Sequence, residues 1–395
     1  MSNYITTKII PTSKQENPLS ESSTSVELSL NKTDIKDFSL ETQQALTKAL
    51  DNLSHGDFQQ RWDVAKILPK LGVIAINPLQ EILLDQSEDL EIRWFALKIL
   101  GEFQAVEVIF TLVRLLETTE EEELITLASS TFAKQGKPAI KALSNFLRSP
   151  SHKFLATKAL AQIRSVEIVE PLLSIVTDED VKVRVTAIEA LSNFEDSRIT
   201  AVLIDALKDP SSEVRKEAVI SLGLKAQSHP DLDLTSSLGE LLHDLNLEVC
   251  KQAAIALSRM KTPLATSMLF EVLKATTTPI PLQMAIIRCL AWMETDLSLE
   301  YLHQALFLVT KNPIIEIITV LGRVNSENLR SQAVTILLDF YYSTPLLVKD
   351  PLISQSLAYA WGQLGDRRTK KALMEMQKTD NEILKAHANA ALKAI

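Results

Sequence analysis

From about residue 39 onward, apolar and small residues recur at helical spacing, and the whole pattern then repeats. The segments EIRWFALKILGEF (91–103), VKVRVTAIEALSNF (181–194), SEVRKEAVISLGLK (212–225) and LEVCKQAAIALSRM (247–260) align on an Arg-like anchor. An Ala tends to follow the anchor by three residues and a Leu by seven, which places them on one stripe of a helix. Anchors fall at Arg61, Arg93, Ile125, Lys153, Arg184, Arg215, Cys250, Gln283, Ile314, Leu357 and Lys385. Successive gaps are 28–35 residues except one of 43, where Arg330, Ala333 and Leu337 form a further, degenerate copy. A second apolar segment precedes each anchored helix, as in ITAVLIDALKD (199–209). Each unit is therefore predicted to be a helical hairpin. Two helices cannot bury both of their faces, so the hairpins must stack. The expected fold is all-α: an α-solenoid of about ten to eleven hairpins over residues 37–395, with an irregular repeat near 325–356.

The punctuation supports this division. Pro78, Pro138 and Pro171 stand where first helices should begin, and a missing N–H is harmless there. Pro150, Pro210 and Pro313 are expected in the turns between helices. Gly101, Gly223, Gly322 and Gly365 each follow an anchor by eight residues and are expected to be left-handed C-terminal caps. Asp178, Asp209 and Asp244 precede anchors by six, where a carboxylate can cap a helix or bond the turn backbone. Arginines at a common register, Arg93, Arg184 and Arg215, are expected to bridge to acidic groups of the adjacent unit. Residues 1–36 are rich in Ser, Thr and Asn, carry no helical stripe and read as a disordered tail.

Units such as DPSSEVRKEAVISLG and DEDVKVRVTAIEALS resemble HEAT-like repeats, in particular the short form found in cyanobacterial phycobilisome-lyase-type proteins. The resemblance covers roughly residues 40–395; it is strong over 178–260 and weak over 314–357. It implies a solenoid that acts as a non-catalytic adaptor. The partner would be a protein, such as a phycobiliprotein or an iron–sulfur carrier, met during assembly, maturation or turnover of phycobilisome or metal/cofactor proteins. The alternative it implies is a lyase that attaches or removes a bilin at a phycobiliprotein cysteine. Lys66, Lys98 and Arg93 would then supply cations for the bilin propionates. A bilin or an iron–sulfur cluster is the group such a role would involve; the residues themselves assign no cofactor.

The chain's chemistry-bearing residues add little to this. Nine glycines in 395 residues form no GxGxxG, GxxxxGK[ST] or GxSxG pattern, and HExxH is absent. A net charge of −9 is unlike the basic footprint of a nucleic-acid binder. Cys250, at an anchor, and Cys289, six after one, form no CxxC pair and read as small packing residues. The six histidines, His55, His152, His229, His243, His303 and His387, share no repeat register, so no metal site is assigned, and no catalytic residue either. Without an uncharged apolar run of 18 residues or a signal-like start, no membrane span and a cytoplasmic location are expected.

One constellation stands out. The position after the anchor is Trp62, Trp94 and Phe154 in three of the first four units, and four residues later stand Lys66, Lys98 and Lys158. These positions are one helical turn apart and lie roughly 120° from the core stripe. Rings beside ammonium groups along a solenoid groove form the candidate binding ladder for an acidic or amphipathic partner or a propionate-bearing tetrapyrrole. Farther on, Phe340, Tyr341, Tyr342, Tyr359 and Trp361 either fill the irregular repeat or form a second contact surface.

Overall fold

A computed structural model describes residues 39–228 and 234–395. The expected tail at 1–36 lies outside the described residues, as does His229. The first hairpin pairs Leu40–His55 with Phe58–Ile67, the second Ile76–Leu84 with Leu90–Leu100, and the third Val106–Thr118 with Glu122–Gln135. Hairpins four to six pair Lys137–Phe146 with Lys153–Ala161, Val169–Leu173 with Val181–Leu191, and Ser197–Ala206 with Ser212–Ser228. Hairpins seven to nine pair Thr235–Glu240 with Leu247–Met260, Pro263–Lys274 with Ile280–Met293, and Asp296–Ala305 with Lys311–Leu321. The last two pair Glu327–Ser343 with Pro351–Leu364 and Lys370–Met376 with Glu382–Ala394. The protein is thus an α-solenoid of eleven stacked hairpins, with no strand among the described residues.

Second helices stack along one layer and first helices along another, and the second-helix layer is the more tightly apposed. A stack with one layer spaced more closely than the other must bend toward the closer layer, which makes the second helices its inner side. In the junction between hairpins three and four this layer is looser, and the first helix of hairpin three also packs on the second helix of hairpin four. The core between the layers is the predicted stripe: Ala187, Ile188 and Leu191 in hairpin five, Ala218, Val219 and Leu222 in hairpin six, and their equivalents are buried.

The glycines eight after the anchors do a different job from the one expected. Gly101 and Gly322 are right-handed, with φ near −64° and −63°, and Gly223 lies inside its helix. A Cβ added at Gly223 would stand 2.7 Å from the Ala256 Cβ, one at Gly322 2.7 Å from the Ala360 Cβ, and one at Gly101 3.2 Å from Thr131. Each glycine therefore meets the small residue of the next hairpin's second helix, and lets the two backbones approach. Only Gly365, with φ 63°, is the left-handed cap.

This contact also corrects the tenth anchor. Gly362 meets Ala391 at 3.2 Å in the same way, which sets the anchor at Ser354 rather than Leu357. The Ser354 hydroxyl donates to the Val348 carbonyl six residues back. Arg184 and Arg215 donate to the equivalent Asp178 and Asp209 carbonyls at 2.7 and 2.8 Å. Leu357 is a core residue one turn farther on, and apolar spacing alone does not separate the two registers. Arg330, Ala333 and Leu337 belong to the 17-residue first helix of hairpin ten, not to an extra repeat; that long helix and a following 3-10 turn at Leu347–Lys349 take up the wide gap. Pro313 stands in the first turn of the helix Lys311–Leu321 instead of in the preceding turn.

The basic anchors of hairpins four to six tie neighbours together, whereas Arg93, expected to do the same, bonds only the Leu83 carbonyl of its own hairpin, because Thr119 stands where the next unit would need its Asp. Arg184 holds its own turn by Asp178 O and grips the next hairpin's Asp209 carboxylate with two 2.8 Å bonds. Arg215 does the same between Asp209 O and Asp244, at 2.7 and 2.8 Å to the carboxylate, and Lys153 reaches Asp178 at 2.6 Å. The aspartates in turn accept backbone N–H bonds from Asp180, Ser211 and Asn246. Hairpins four to seven are so laced into one charged ladder. The Arg215 hydrogen bonds hold the Asp244 carboxyl below the usual carboxylate range against its partial burial. At Asp178 burial pushes the pKa up, but the bonds from Lys153 and the Asp180 N–H outweigh it.

The run Phe58–Leu84 is long and apolar enough by composition to cross a membrane, with mean hydropathy 1.4. It is not one rod: Gly72 adopts φ 78°, ψ −158° and breaks it between the two helices it joins.

Two outcomes follow from this packing. Gly223→Leu should lower stability by roughly 1–3 kcal/mol in urea denaturation, because the added side chain forces hairpins six and seven apart; an unchanged midpoint would remove the close approach from the account. Asp244→Asn should cost on the order of 2 kcal/mol at neutral pH. A depressed carboxyl contributes stability that is full above its unfolded value, near 3.9, and is lost as the pH falls through the lower folded value. The variant's stability should accordingly fall less steeply than wild type below about pH 4, and parallel acid limbs in pH-dependent denaturation would contradict the assignment.

Candidate functional site

The ladder positions all lie on second helices, on the inner layer, but the structure does not assemble them into one strip. In hairpins one and two, Phe58, Trp62, Trp94 and Phe95 form an edge-to-face cluster with centroids 5.2–6.4 Å apart. Phe95 is fully buried and is the floor; Trp62 and Trp94 are half-buried on it. Lys98 extends between the two indoles, with its Nζ 4.9 Å from the Trp62 ring and 5.3 Å from the Trp94 ring. It has no carboxylate partner among the described residues, and its charge lies against the two rings.

The other members go elsewhere. Lys66 pairs with Asp63 on its own helix at 3.1 Å. Its hydrogen bond is the main reason the Asp63 carboxyl sits below its ordinary value. Phe154 lies under Lys158 at 5.8 Å and Lys182 at 5.9 Å, a separate ring–cation patch. Hairpin three interrupts the row because it carries Thr126 and Ser130 at the equivalent positions. Arg93 is only 6% exposed and donates to the Leu83 carbonyl, so it is unavailable to the propionates expected of it.

A second cavity of about 570 Å³ opens on the same face between hairpins seven and eight. Lys251, Ile255 and Arg259 line it from one helix, and Ala285, Arg288 and Trp292 from the next. Trp292 is 54% exposed, and the Lys261 Nζ stands 5.1 Å from its ring centroid. Lys251 pairs with Glu248 and Arg288 with Glu316. The sequence ladder stops short of this site because Trp292 and Arg259 stand nine residues after their anchors, one turn beyond the last position compared.

Both cysteines are packing residues. Cys289 lies at the floor of the second cavity, where burial pushes its thiol up to about 11. Cys250 is buried and donates its S–H to the Asp244 carbonyl at 3.1 Å, the same acceptor geometry as the arginine anchors. Burial is the leading cause that raises its thiol too. The C-terminal aromatics divide between the two readings: Phe340 and Trp361 are fully buried, while Tyr342 and Tyr359 are exposed.

Residues 136–223 and 200–285 match the HEAT-repeat family. The match covers the stretch from hairpin four into hairpin eight. Over 100 residues it is 33% identical to the bilin biosynthesis protein MpeU of Synechococcus sp. (strain WH8020), which is 24% of this chain and 33% of that protein. Over 115 residues it is 32% identical to protein YibA of Escherichia coli (strain K12), 29% of this chain and 40% of that one. The chain thus spans between a third and two fifths of the length of these relatives. Among solved structures, the HEAT-repeat solenoid is similar to a chain of the Kap95p–RanGDP complex, with a TM-score of 0.50 and 13% identity over 89% of this chain and 55% of that chain. That likeness is one of fold.

Ring and cation separate by mutation. Trp94→Ala should cost roughly 2–4 kcal/mol in urea denaturation, since a half-buried indole leaves the Phe95 floor uncovered. Lys98→Met keeps the aliphatic stem and should change stability by less than about 0.5 kcal/mol. Equal losses for the two would mean that Lys98, not the rings, holds the cluster together.

Proposed function

We propose that this protein is a non-catalytic scaffold that holds a partner protein along the inner face of its solenoid, in the cytoplasm. Stacked helical repeats create an extended concave surface, and binding is what that surface is built to do. The observation that carries the reading is Lys98 between Trp62 and Trp94. Two half-exposed indoles and an ammonium without a carboxylate make an anchor for a partner with acidic and apolar groups. Trp62, Lys66, Trp94, Lys98, Phe154 and Lys158 are assigned to this surface, with Lys98 and its two rings at the centre. The similarity to MpeU, a bilin biosynthesis protein by name, supports a partner in assembly, maturation or turnover of phycobilisome or cofactor proteins.

The same similarity favours one second reading, a bilin lyase. The burial of Arg93 and the pairing of Lys66 leave Lys98 as the one cation of that proposed set still open, which argues for the scaffold.

Affinity capture from source cells with the full chain separates these. Lys98→Glu should lose the proteins that the wild type retains, while Lys141→Glu, on the first helix of hairpin four, should retain them. Equal retention by both variants would overturn the inner-face reading. Mixing the purified protein with a free bilin should leave the visible spectrum unchanged; a red shift with tight retention would establish the lyase reading instead.

A further inference from the structure

The cavity between hairpins seven and eight contains an electrostatic imbalance. The chain has 50 acidic and 41 basic side chains, so a basic group has many carboxylates to choose from. Lys251 and Arg288 have taken theirs. Arg259, which lines the cavity, and Lys261, which stands over the exposed Trp292 ring at its edge, have none among the described residues. Arg259 is half-buried, and its Nη1 would stand 3.7 Å from a Cβ at Gly223, so it lies over the glycine that draws hairpins six and seven together. Lys261 closes its helix in the left-handed conformation, with φ 53°, and from there reaches the indole face. Ile255 and Ala285 supply apolar wall, and Cys289 with its raised thiol supplies a neutral floor.

We infer that this cavity is a second recognition site on the inner face, for an acidic peptide segment of a partner protein that inserts an apolar side chain against Trp292 and places carboxylates on Arg259 and Lys261. The site rests on the scaffold reading and gives it a second point of contact. Charge complementarity selects the occupant. Two cations without partners attract carboxylates, and a guanidinium can take one in a bidentate grip. The exposed ring and the Ile255 wall reward an apolar side chain that displaces water. A basic segment would meet like charge and leave Arg259 unpaired. The site lies three to six hairpins from Trp94 and Phe154, so one extended partner could occupy both patches, and linked contacts would raise its apparent affinity.

The test is fluorescence anisotropy of the full chain with a short fluorescein-labelled peptide of Glu, Leu and Phe, against the same peptide with Lys for Glu. The acidic peptide should bind and the basic one should not. Arg259→Gln combined with Lys261→Gln should weaken binding at least about tenfold and flatten its salt dependence. Trp292→Ala should weaken it by a similar factor, and Trp292→Phe should restore most of it, which a simple folding defect would not allow. Equal binding of both peptides, or of neither, would overturn the proposal. So would acidic-peptide binding that ignores changes at 259, 261 and 292 but is lost in Lys98→Glu; that result would leave the scaffold reading standing with the N-terminal cluster as its site.

Discussion

How closely one second helix can lie against the next is the constraint on which the rest of the molecule depends. Gly223 against Ala256, Gly322 against Ala360 and Gly362 against Ala391 leave no room for a larger side chain. Close approach on this layer and bulkier contacts on the other give the stack its curvature, and curvature gives it an inner face. The residues that line that face are consequences of this packing. Trp62 and Trp94 follow their anchors by one residue in successive second helices, which sets their rings 6.4 Å apart. Trp292 can share a cavity with Arg259 for the same reason.

Above this apolar contact runs a charged one. Arg184 and Arg215 each bind a carbonyl of their own hairpin and a carboxylate of the next, so a single side chain fixes both the turn and the neighbour's distance. Such charge-assisted, two-pronged bonds specify geometry as well as energy. Where the anchor is Cys250 or Ser354, the bond to the hairpin's own carbonyl survives and the bond across is gone. The repeat therefore retains its turn even where it loses its link.

The architecture was legible in the sequence because an anchor, a small residue and a Leu recur at helical spacing, and eleven anchors correspond to eleven hairpins. The bridge from arginine to the neighbouring acid was legible for the same reason at Arg184 and Arg215, but not at Arg93, whose next unit offers Thr119 in place of the Asp. What the spacing could not settle was register within an apolar stripe: Leu357 and Ser354 are one turn apart, and only the Ser354 hydrogen bond and the Gly362 contact decide between them. Nor could it tell a glycine that caps from a glycine that packs, because the two differ in what lies opposite, which is a neighbour's residue. Of the ladder, Trp94 beside Lys98 was readable; that Lys98 also reaches Trp62, while Lys66 turns to Asp63 at the competing i, i+3 spacing on its own helix, was not. The Trp292 cavity joins residues of two hairpins at a position one turn past the pattern, and no single repeat displays it.

The uneven distribution of cross-links has a mechanical meaning. A stack of hairpins is a spring, and its stiffness at each joint reflects what spans that joint. From hairpin four to hairpin seven the turns are riveted by Lys153–Asp178, Arg184–Asp209 and Arg215–Asp244. At the seventh-to-eighth joint the anchor is Cys250, which reaches only its own turn. Bending strain applied to the rod should concentrate at the joints that flank the rivets, the loose one between hairpins three and four and the seventh-to-eighth, whose inner side carries Trp292. Flexure at this joint would widen or narrow the cavity more than any part of the riveted segment, so bending here and the aperture of the second site are one degree of freedom.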